Sequence, residues 1–154
     1  MTLDEFRAKY LGKRVEFDGV YEYQCVDLTK MYSKEVIGTP QLMGNAIDYV
    51  NNPLPDYYEY HTNHLWYIPP RGSIAVWNGN VGGGFGHAAI VLFATLMKFT
   101  SLDQNWPTGE VVKEVEHPYS NVVGFLVPRP IDTISRYNEL VDEVRKLVAK
   151  YPKV

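Results

Sequence analysis

Apolar side chains recur at helical spacing in three stretches of the N-terminal part of the chain. Residues 2–11 begin with a capping-box pattern, Thr2 followed by Glu5, and predict a short amphipathic helix. Beyond Gln24, apolar and small residues return every three or four positions until a Gly-Thr-Pro break, which predicts a second helix. Its spaced positions are Cys25, Leu28, Thr29, Tyr32 and Val36. A third, short helix is expected at residues 44–51.

The pattern changes in the second half of the chain. Residues 52–70 are bounded by prolines and crowded with aromatics, and we expect them to form a long ordered loop. Short β-rich runs separated by Gly, Pro or Asn follow. These runs are residues 73–77, 87–93, 97–103, 110–116 and 121–127. Their spacing predicts one antiparallel sheet of five to six strands, and helices followed by strands indicate an α+β fold with the N-terminal helices packed on the sheet.

A final amphipathic helix is predicted over Thr133–Lys150, after two closely spaced prolines. Acidic residues lie early in it and basic residues late, which suits the helix dipole. Its apolar stripe is Tyr137, Leu140, Val141, Val144, Leu147, Val148 and Tyr151. We therefore divide the chain into a main domain, residues 1–130, and a C-terminal helix, residues 131–154, that packs on the domain, mediates weak dimerisation or begins a linker.

Composition and charge exclude several classes of function. The chain has 154 residues, is 45% hydrophobic and carries a formal net charge of −3. An acidic balance without a basic stripe argues against a nucleic-acid partner. We find no apolar run long enough for a signal peptide or a membrane span, so we expect synthesis in the cytoplasm and no membrane insertion. The single cysteine excludes an intramolecular disulfide.

That single cysteine, Cys25, is the first candidate for chemistry. It lies in the first turn of the second predicted helix, where unpaired N–H groups and the helix dipole favour the thiolate. A free cysteine is also a common small core residue. Cys25 alone is therefore either a nucleophile or a buried hydrophobe.

Two further segments offer partners for the thiol. His87 opens a predicted strand directly after the glycine-rich run VGGGFG, where the backbone can be approached closely. Asp103 and Asn105 lie at the end of the next strand, which returns beside the start of the first if the two form a hairpin. Either side chain can accept a hydrogen bond from the second imidazole N–H. The alternatives are a structural histidine and two residues that shape a turn.

These segments, taken in order, resemble the CHAP family, the cysteine, histidine-dependent amidohydrolases and peptidases. The matching motifs are YQCVDL, FGHAAIV and LDQNW, and the resemblance covers roughly residues 3–128. It implies a papain-like α+β fold and is strongest to the catalytic domains of bacteriophage endolysins, which cut bacterial peptidoglycan. Such an enzyme would be made without a signal peptide in an infected bacterium and would act at the cell wall.

The resemblance also implies roles for single residues. Cys25 would be the nucleophile and His87 the general base, while Asp103 would orient the imidazole and Asn105 would be a further polar partner. Gln24 would act beside the Cys25 backbone N–H as an oxyanion donor. The implied reaction is amide hydrolysis through a thioester, by either an N-acetylmuramoyl-L-alanine amidase or an endopeptidase.

Two alternatives compete with this interpretation. The related NlpC-type cell-wall peptidases share the papain-like core, but their third polar residue is usually a histidine, which LDQNW does not supply. A catalytically silent, calcium-stabilised wall-binding or assembly module would have no need to keep all three motifs.

The segment before the cysteine is a candidate calcium loop. Acidic residues alternate through it, and flexible cages of hard oxygens suit Ca²⁺, although the glycine position does not match an EF-hand. Some phage CHAP domains hold calcium there, and the resemblance implies as ligands Glu16, Asp18, Val20, Glu22 and Asp27. The ion would be structural. A solvated acidic turn is the alternative.

Aromatic residues supply candidates for a substrate groove. Those selected are Trp66, Trp77, Trp106 and Tyr58, and core packing is the alternative for each. His61 and His64 have the spacing of a zinc pair but no further ligand nearby, so we expect them to line the groove.

Overall fold

The sheet dominates the fold, and the computed structural model describes residues 1–130 and 133–150. Six antiparallel strands pair in the order β1-β6-β2-β3-β4-β5. The strands are β1 (Tyr58–Thr62), β2 (Ile74–Trp77), β3 (His87–Ala94), β4 (Lys98–Asp103), β5 (Lys113–Pro118) and β6 (Val122–Pro128). The α-helices are α1 (Leu3–Tyr10), α2 (Cys25–Tyr32) and α3 (Thr133–Lys150). The predicted α+β class is confirmed.

The N-terminal helices begin where their capping residues predict. Thr2 Oγ1 accepts a hydrogen bond from the Glu5 backbone N–H, and the Glu5 carboxylate accepts one from the Thr2 N–H, which completes the capping box of α1. Helix α2 continues into a π-helical turn, Ser33–Ile37, and ends at Gly38 in a left-handed conformation. The expected third helix is a 3₁₀ turn at Ala46–Val50.

Strand alternation divides the apolar residues between the two faces of the sheet. Ile74 and Val76 of β2 belong to the larger core, which the N-terminal helices cover, whereas Ala75 and Trp77 belong to a smaller aromatic cluster on the opposite face. We call that opposite face the aromatic face. Its buried apolar members are Ala75, Trp77, Ala89, Val91, Phe99, Val122 and Phe125.

Strand β1 corrects the prediction that residues 52–70 form only a loop. Residues 58–62 pair with β6 at the edge of the sheet, from Tyr58 opposite Pro128 to Thr62 opposite Gly124. Gly124 makes this pairing possible, because a Cβ there would lie 2.5 Å from the Tyr60 ring and 2.6 Å from the His61 carbonyl oxygen. The aromatic content of residues 52–70 does not indicate a strand, because the pairing of β1 depends on Gly124, which is distant in the sequence.

Strand β5 begins later than predicted, at Lys113 rather than residue 110. Val112 instead exchanges backbone hydrogen bonds with the segment after α1: its N–H donates to the Lys13 carbonyl and its carbonyl accepts from the Gly12 N–H. Because Val112 is fully buried, this contact ties the end of α1 to the sheet.

Helix α3 has the predicted bounds, and several apolar side chains in its described part are exposed to solvent. Four members of the predicted stripe are exposed: Leu140, Val144, Leu147 and Val148. Tyr151 and the side chain of Tyr137 lie outside the described residues. Among the described helices, none is long and apolar enough to span a bilayer.

Candidate active site

Cys25 is the first residue of α2 and is half-buried. The Asp27 carboxylate accepts a hydrogen bond of 2.6 Å from the Gln24 backbone N–H and so fixes the start of the helix. The N–H groups of a first helical turn have no partner inside the helix and carry partial positive charge. The thiol therefore lies where negative charge is favoured.

Gly86 fixes the position of the neighbouring histidine. It adopts φ +76°, and a Cβ there would lie 2.5 Å from the Trp77 carbonyl oxygen and 3.0 Å from the Ile47 backbone nitrogen. No other residue fits this site without displacing backbone. The close approach sets His87 at the start of β3, opposite Trp77 of β2 in the sheet register.

The His87 ring joins the thiol to a buried carboxylate. His87 Nε2 lies 2.8 Å from Asp103 Oδ2, and both side chains are almost fully buried. Burial alone lowers the pKa of His87, but the hydrogen bonds and charges of Asp103 and Cys25 outweigh it and raise that pKa to about 9. Since Nε2 contacts Asp103, Nδ1 is the ring nitrogen left for Cys25.

Asp103 has two further partners that the sequence did not predict. Ser101 Oγ donates to Oδ1 at 2.5 Å, and His117 Nε2 lies 3.0 Å from Oδ2, the same oxygen that His87 contacts. Burial raises the pKa of Asp103, but the hydrogen bonds from His117 and His87 outweigh it and hold that pKa below its usual value. His117 belongs to β5 and lies one residue beyond the strand predicted at 110–116.

Tryptophan rings enclose the imidazoles. Trp106 lies 4.7 Å from the His87 ring, and Trp77 lies 5.1 Å from His87 and 4.9 Å from His117, between ring centroids. Trp106 also lines the cavity beside Cys25. Trp77 is only 2% exposed and packs beneath the histidines, which corrects its selection as a groove residue. The alternation of β2 turns it inward, onto the aromatic face.

Asn105 contacts Gln24 and makes no hydrogen bond to His87. Asn105 Nδ2 donates to Gln24 Oε1 at 3.0 Å, while its own Oδ1 accepts from the Gly109 N–H at 2.5 Å. The Gln24 amide nitrogen donates to the Tyr21 carbonyl at 2.6 Å. Asn105 thus orients the side chain next to the cysteine.

A cavity of about 1160 Å³ opens over these groups. Its wall includes Gln24, Cys25, His87 and Trp106 together with the exposed ring of Phe85. A cleft of this size has room for an extended peptide.

The other predicted groove aromatics lie elsewhere. Tyr58 is 1% exposed and its hydroxyl bonds Ser33 Oγ at 2.7 Å, so it belongs to the larger core, which corrects its selection as a groove residue. Its place in β1 explains the burial, because alternate residues of that strand face the helices. Trp66 is 80% exposed and does not line the cavity. His61 stacks on Tyr67 instead of facing the cavity.

The acidic loop brings three of its predicted ligands together beside the first turn of α2, which contains Asp27. Carboxylate oxygens of Glu16, Asp18 and Asp27 all lie within 4.8 Å of one another, and in the described part of the chain no other three acidic, His or Cys side chains bring one ligand atom each so close together. Glu22 is not part of the cluster. Lys30 Nζ, nearly buried, lies 2.7 Å from Asp18 Oδ2 and offsets part of the negative charge.

The cluster fits a calcium ion in size and chemistry. Oxygens that coordinate Ca²⁺ at about 2.3 to 2.6 Å lie up to about 5 Å apart across the ion. Burial, together with the charges of Glu16 and Asp18, raises the pKa of Asp27, so a bound cation would relieve repulsion there. One lysine against three carboxylates leaves the cluster negative.

The site has the arrangement of a papain-like thiol hydrolase. Cys25 is a half-buried thiol at a helix N-terminus, His87 lies beside it, and the buried carboxylate of Asp103 binds the far side of the imidazole. The family model of the CHAP domain matches residues 16–105, more than half of the chain. The chain belongs to the CHAP family.

Curated relatives with this domain include two endolysins of staphylococcal phages. The chain is 32% identical over 124 residues to endolysin PlyTW of Staphylococcus phage Twort, covering 73% of this chain and 26% of PlyTW. It is 31% identical over 94 residues to endolysin LysK of Staphylococcus phage K, covering 60% of this chain and 19% of LysK. The chain thus spans about a quarter or less of the length of these relatives.

Solved structures share the fold. The wild-type endolysin LysIME-EF1 superposes with a TM-score of 0.73 at 26% identity, covering 87% of this chain and 67% of that one. Ly7917, at 17% identity and a TM-score of 0.62, covers 82% of this chain and 60% of that one, and shows a common fold only.

Proposed function

We propose that this chain is a catalytic domain that hydrolyses an amide bond of bacterial peptidoglycan through a Cys25 thioester. The observation that carries the proposal is the buried hydrogen bond between His87 and Asp103, with Cys25 at the other side of the imidazole and a large cavity over the thiol. Membership of the CHAP family and similarity to phage endolysins support peptidoglycan as the substrate and the cell wall as the place of action.

The first step is attack of the thiol on the amide carbon. His87 Nδ1 accepts the Cys25 proton, and the sulfur electron pair forms the C–S bond while the carbonyl electrons move onto oxygen. The Asp103 carboxylate stabilises the resulting imidazolium through Nε2–H and holds the ring in one tautomer. The raised pKa of His87, about 9, favours this charged form at neutral pH.

Collapse of the tetrahedral intermediate releases the amine. His87 returns its proton to the leaving nitrogen as the C–N bond breaks, which leaves an acyl thioester on Cys25. Water, deprotonated by the same imidazole, then attacks the thioester carbon, the C–S bond breaks and the thiol regains its proton. The products are an amine and a carboxylic acid.

Two N–H groups near Cys25 are the proposed oxyanion donors. The first is the Cys25 backbone N–H, which belongs to the unpaired first turn of α2. The second is the Gln24 side-chain amide, which carries two hydrogens, of which one binds the Tyr21 carbonyl. Asn105 binds Gln24 Oε1 and so keeps the amide nitrogen in a fixed orientation. Two such donors contribute several kcal/mol of barrier lowering.

Calcium is proposed as a structural ion of this domain. Glu16, Asp18 and Asp27 would hold it with side-chain oxygens, and Val20 and Glu22 would complete the shell with backbone carbonyl oxygens from the exposed part of the loop. When bound, the ion would neutralise the carboxylates at the start of α2. It has no part in the bond-breaking steps.

Digestion of purified cell walls tests the proposal. Staphylococcal peptidoglycan is the first substrate, because PlyTW and LysK belong to staphylococcal phages. We expect the native protein to release soluble fragments and Cys25→Ser to release none, with melting temperatures within a few degrees of each other. Mass spectrometry of the new ends distinguishes the two reactions: a free muramic-acid carboxylate and an alanine amine identify an amidase, whereas new ends within the peptides identify an endopeptidase.

The controls separate catalysis from binding. Cys25→Ser should still sediment with the insoluble wall, because the substitution changes one atom of the cavity. Retained cleavage by Cys25→Ser would exclude the thioester mechanism. Wall binding without cleavage by the native protein, across walls of several Gram-positive species, would instead favour the silent binding module.

A further inference from the structure

His117 is a buried histidine that the proposed mechanism does not use. It is 4% exposed, and its Nε2 lies 3.0 Å from Asp103 Oδ2. In the sheet register His117 is opposite Phe99, not opposite Asp103, so its side chain reaches diagonally along β4 to make this contact. It therefore approaches the same carboxylate that binds His87.

The contacts of Asp103 leave its carboxylate little freedom. Ser101 Oγ donates to Oδ1, and His87 and His117 both approach Oδ2 with their Nε2 atoms. Both imidazoles therefore need a proton on Nε2 to satisfy an ionised carboxylate. With Nε2 protonated, a neutral His87 has its lone pair on Nδ1, the nitrogen that faces Cys25.

Aromatic rings hold His117 in this orientation. Its ring lies 4.9 Å from Trp77, 5.4 Å from Trp106 and 5.6 Å from Phe99, measured between centroids. Trp77 and Trp106 also contact the His87 ring. A shift of His117 would therefore disturb both the carboxylate and the rings that pack on the base.

We propose that His117 is a positioning residue, which donates from Nε2 to Asp103 Oδ2 and thereby fixes the carboxylate that orients His87 toward Cys25. The inference rests on the proposed thiol mechanism but concerns a residue outside it. His117 does not line the cavity beside Cys25. Its effect reaches the thiol through Asp103 and His87.

Two substitutions distinguish the contribution of the His117 N–H donor from that of its ring. His117→Phe keeps a flat ring among the tryptophans and removes the N–H, whereas His117→Gln keeps an amide N–H at a similar distance from the backbone. We expect His117→Phe to lower kcat for wall fragments by roughly tenfold to a hundredfold with KM little changed, and His117→Gln to recover most of the loss. A purely structural role would change the melting temperature of both variants without this difference in kcat.

Two readouts do not need the wall substrate. Cys25 is the only cysteine in the sequence, so its alkylation by iodoacetamide reports the reactivity of one thiol. We expect His117→Phe to slow alkylation at neutral pH and His117→Gln to restore the rate. Long-range ¹H–¹⁵N spectra of the native protein should show a proton on Nε2 of both His87 and His117.

The outcomes distinguish the two hypotheses. If the native protein does not cleave walls but alkylation and the spectra behave as expected, the proposed function is wrong and the role of His117 stands. A folded His117→Phe variant with unchanged alkylation and kcat overturns the inference. So does a native His117 that carries its proton on Nδ1 alone, a result that does not depend on whether any variant folds.

Discussion

Two clusters of ionisable groups adjoin helix α2, and they are stabilised in different ways. Beside Cys25, His87, Asp103 and His117 are each less than 5% exposed, and both histidines bind Asp103. In the acidic loop, Glu16 and Asp18 are exposed to solvent. The first cluster balances its charges internally. The second keeps an excess of negative charge, so we expect its stability to depend on cations from solution.

We expect the replacement of a single atom in the buried cluster to have the largest effect on activity. In the native protein, Oδ2 of the Asp103 carboxylate accepts hydrogen bonds from two imidazole N–H groups. Asp103→Asn replaces the carboxylate with an amide, which has one acceptor oxygen and a nitrogen that can only donate. His87 then loses its fixed tautomer, and we expect kcat to fall by about a thousandfold or more. Initial rates of wall-fragment cleavage measure this. Asp4→Asn, an exposed substitution of the same kind, is the matched control and should retain full activity; equal losses in the two variants would contradict the role of Asp103.

The pH dependence of stability sharpens the comparison, because His87 keeps its proton unusually strongly. The pKa of His87 is about 9 in the folded protein against 6.5 for an ordinary histidine. Its contribution to stability is therefore fully present below about pH 6.5 and is lost as the pH rises through 9; the difference corresponds to about 3 kcal/mol. Burial would lower the pKa of His87, and the hydrogen bonds and charges of Asp103 and Cys25 outweigh it.

Urea unfolding of the native protein and of His87→Gln, at pH 6 and pH 10, measures that contribution. We expect the native protein to lose more of its unfolding free energy than the variant between the two pH values. Titration of lysines and tyrosines elsewhere is common to both proteins and cancels in the difference. An equal loss in both would mean that the pKa of His87 is not raised.

How much the sequence predicts also differs between residues of the buried cluster. Cys25, His87 and Asp103 follow from short motifs, and strand alternation with a β3–β4 hairpin is enough to bring the last two to one side of the sheet. His117 could not be found in this way. The predicted strand ended at residue 116, and the contact to Asp103 is diagonal, so neither register nor spacing indicates it.

The predicted fold class and family are confirmed. They could be predicted because helical periodicity, turn residues and short motifs are local properties of the sequence. The errors concern long-range contacts. The sequence alone cannot separate a groove position from a core position for Tyr58, because aromatic residues suit both, and the pairing of β1 with β6 buries it. The burial of Trp77 also depends on long-range contacts, because the rings of His87 and His117 pack on it.

Calcium should affect stability through the acidic loop. If Glu16, Asp18 and Asp27 bind the ion in the folded state only, calcium at a hundredfold excess over its Kd adds about 2.7 kcal/mol of stability. Melting temperatures in calcium and in EDTA measure this. Glu16→Gln should reduce the response, because an amide lowers the charge of the cluster but can still accept the backbone hydrogen bonds of Asp18 and Gly19.

The matched control for the loop is Glu22→Gln, which removes an acidic charge outside the three-carboxylate cluster. It should keep more of the calcium response than Glu16→Gln. Identical melting temperatures of the native protein in calcium and in EDTA would contradict the site. In that case Lys30 and solvent ions would be sufficient to offset the charge of the loop.

The smallest change in stability is expected at Trp66, which belongs to neither cluster. Its side chain is 80% exposed, so Trp66→Ala should alter the free energy of unfolding by no more than about 0.5 kcal/mol. Trp106→Ala is the comparison, because its ring packs on His87 and lines the cavity. Urea unfolding and wall-cleavage kinetics of both variants test the contrast. If Trp66→Ala raises KM while stability is unchanged, the exposed ring contacts substrate beyond the cavity. If neither changes, Trp66 has no part in substrate recognition.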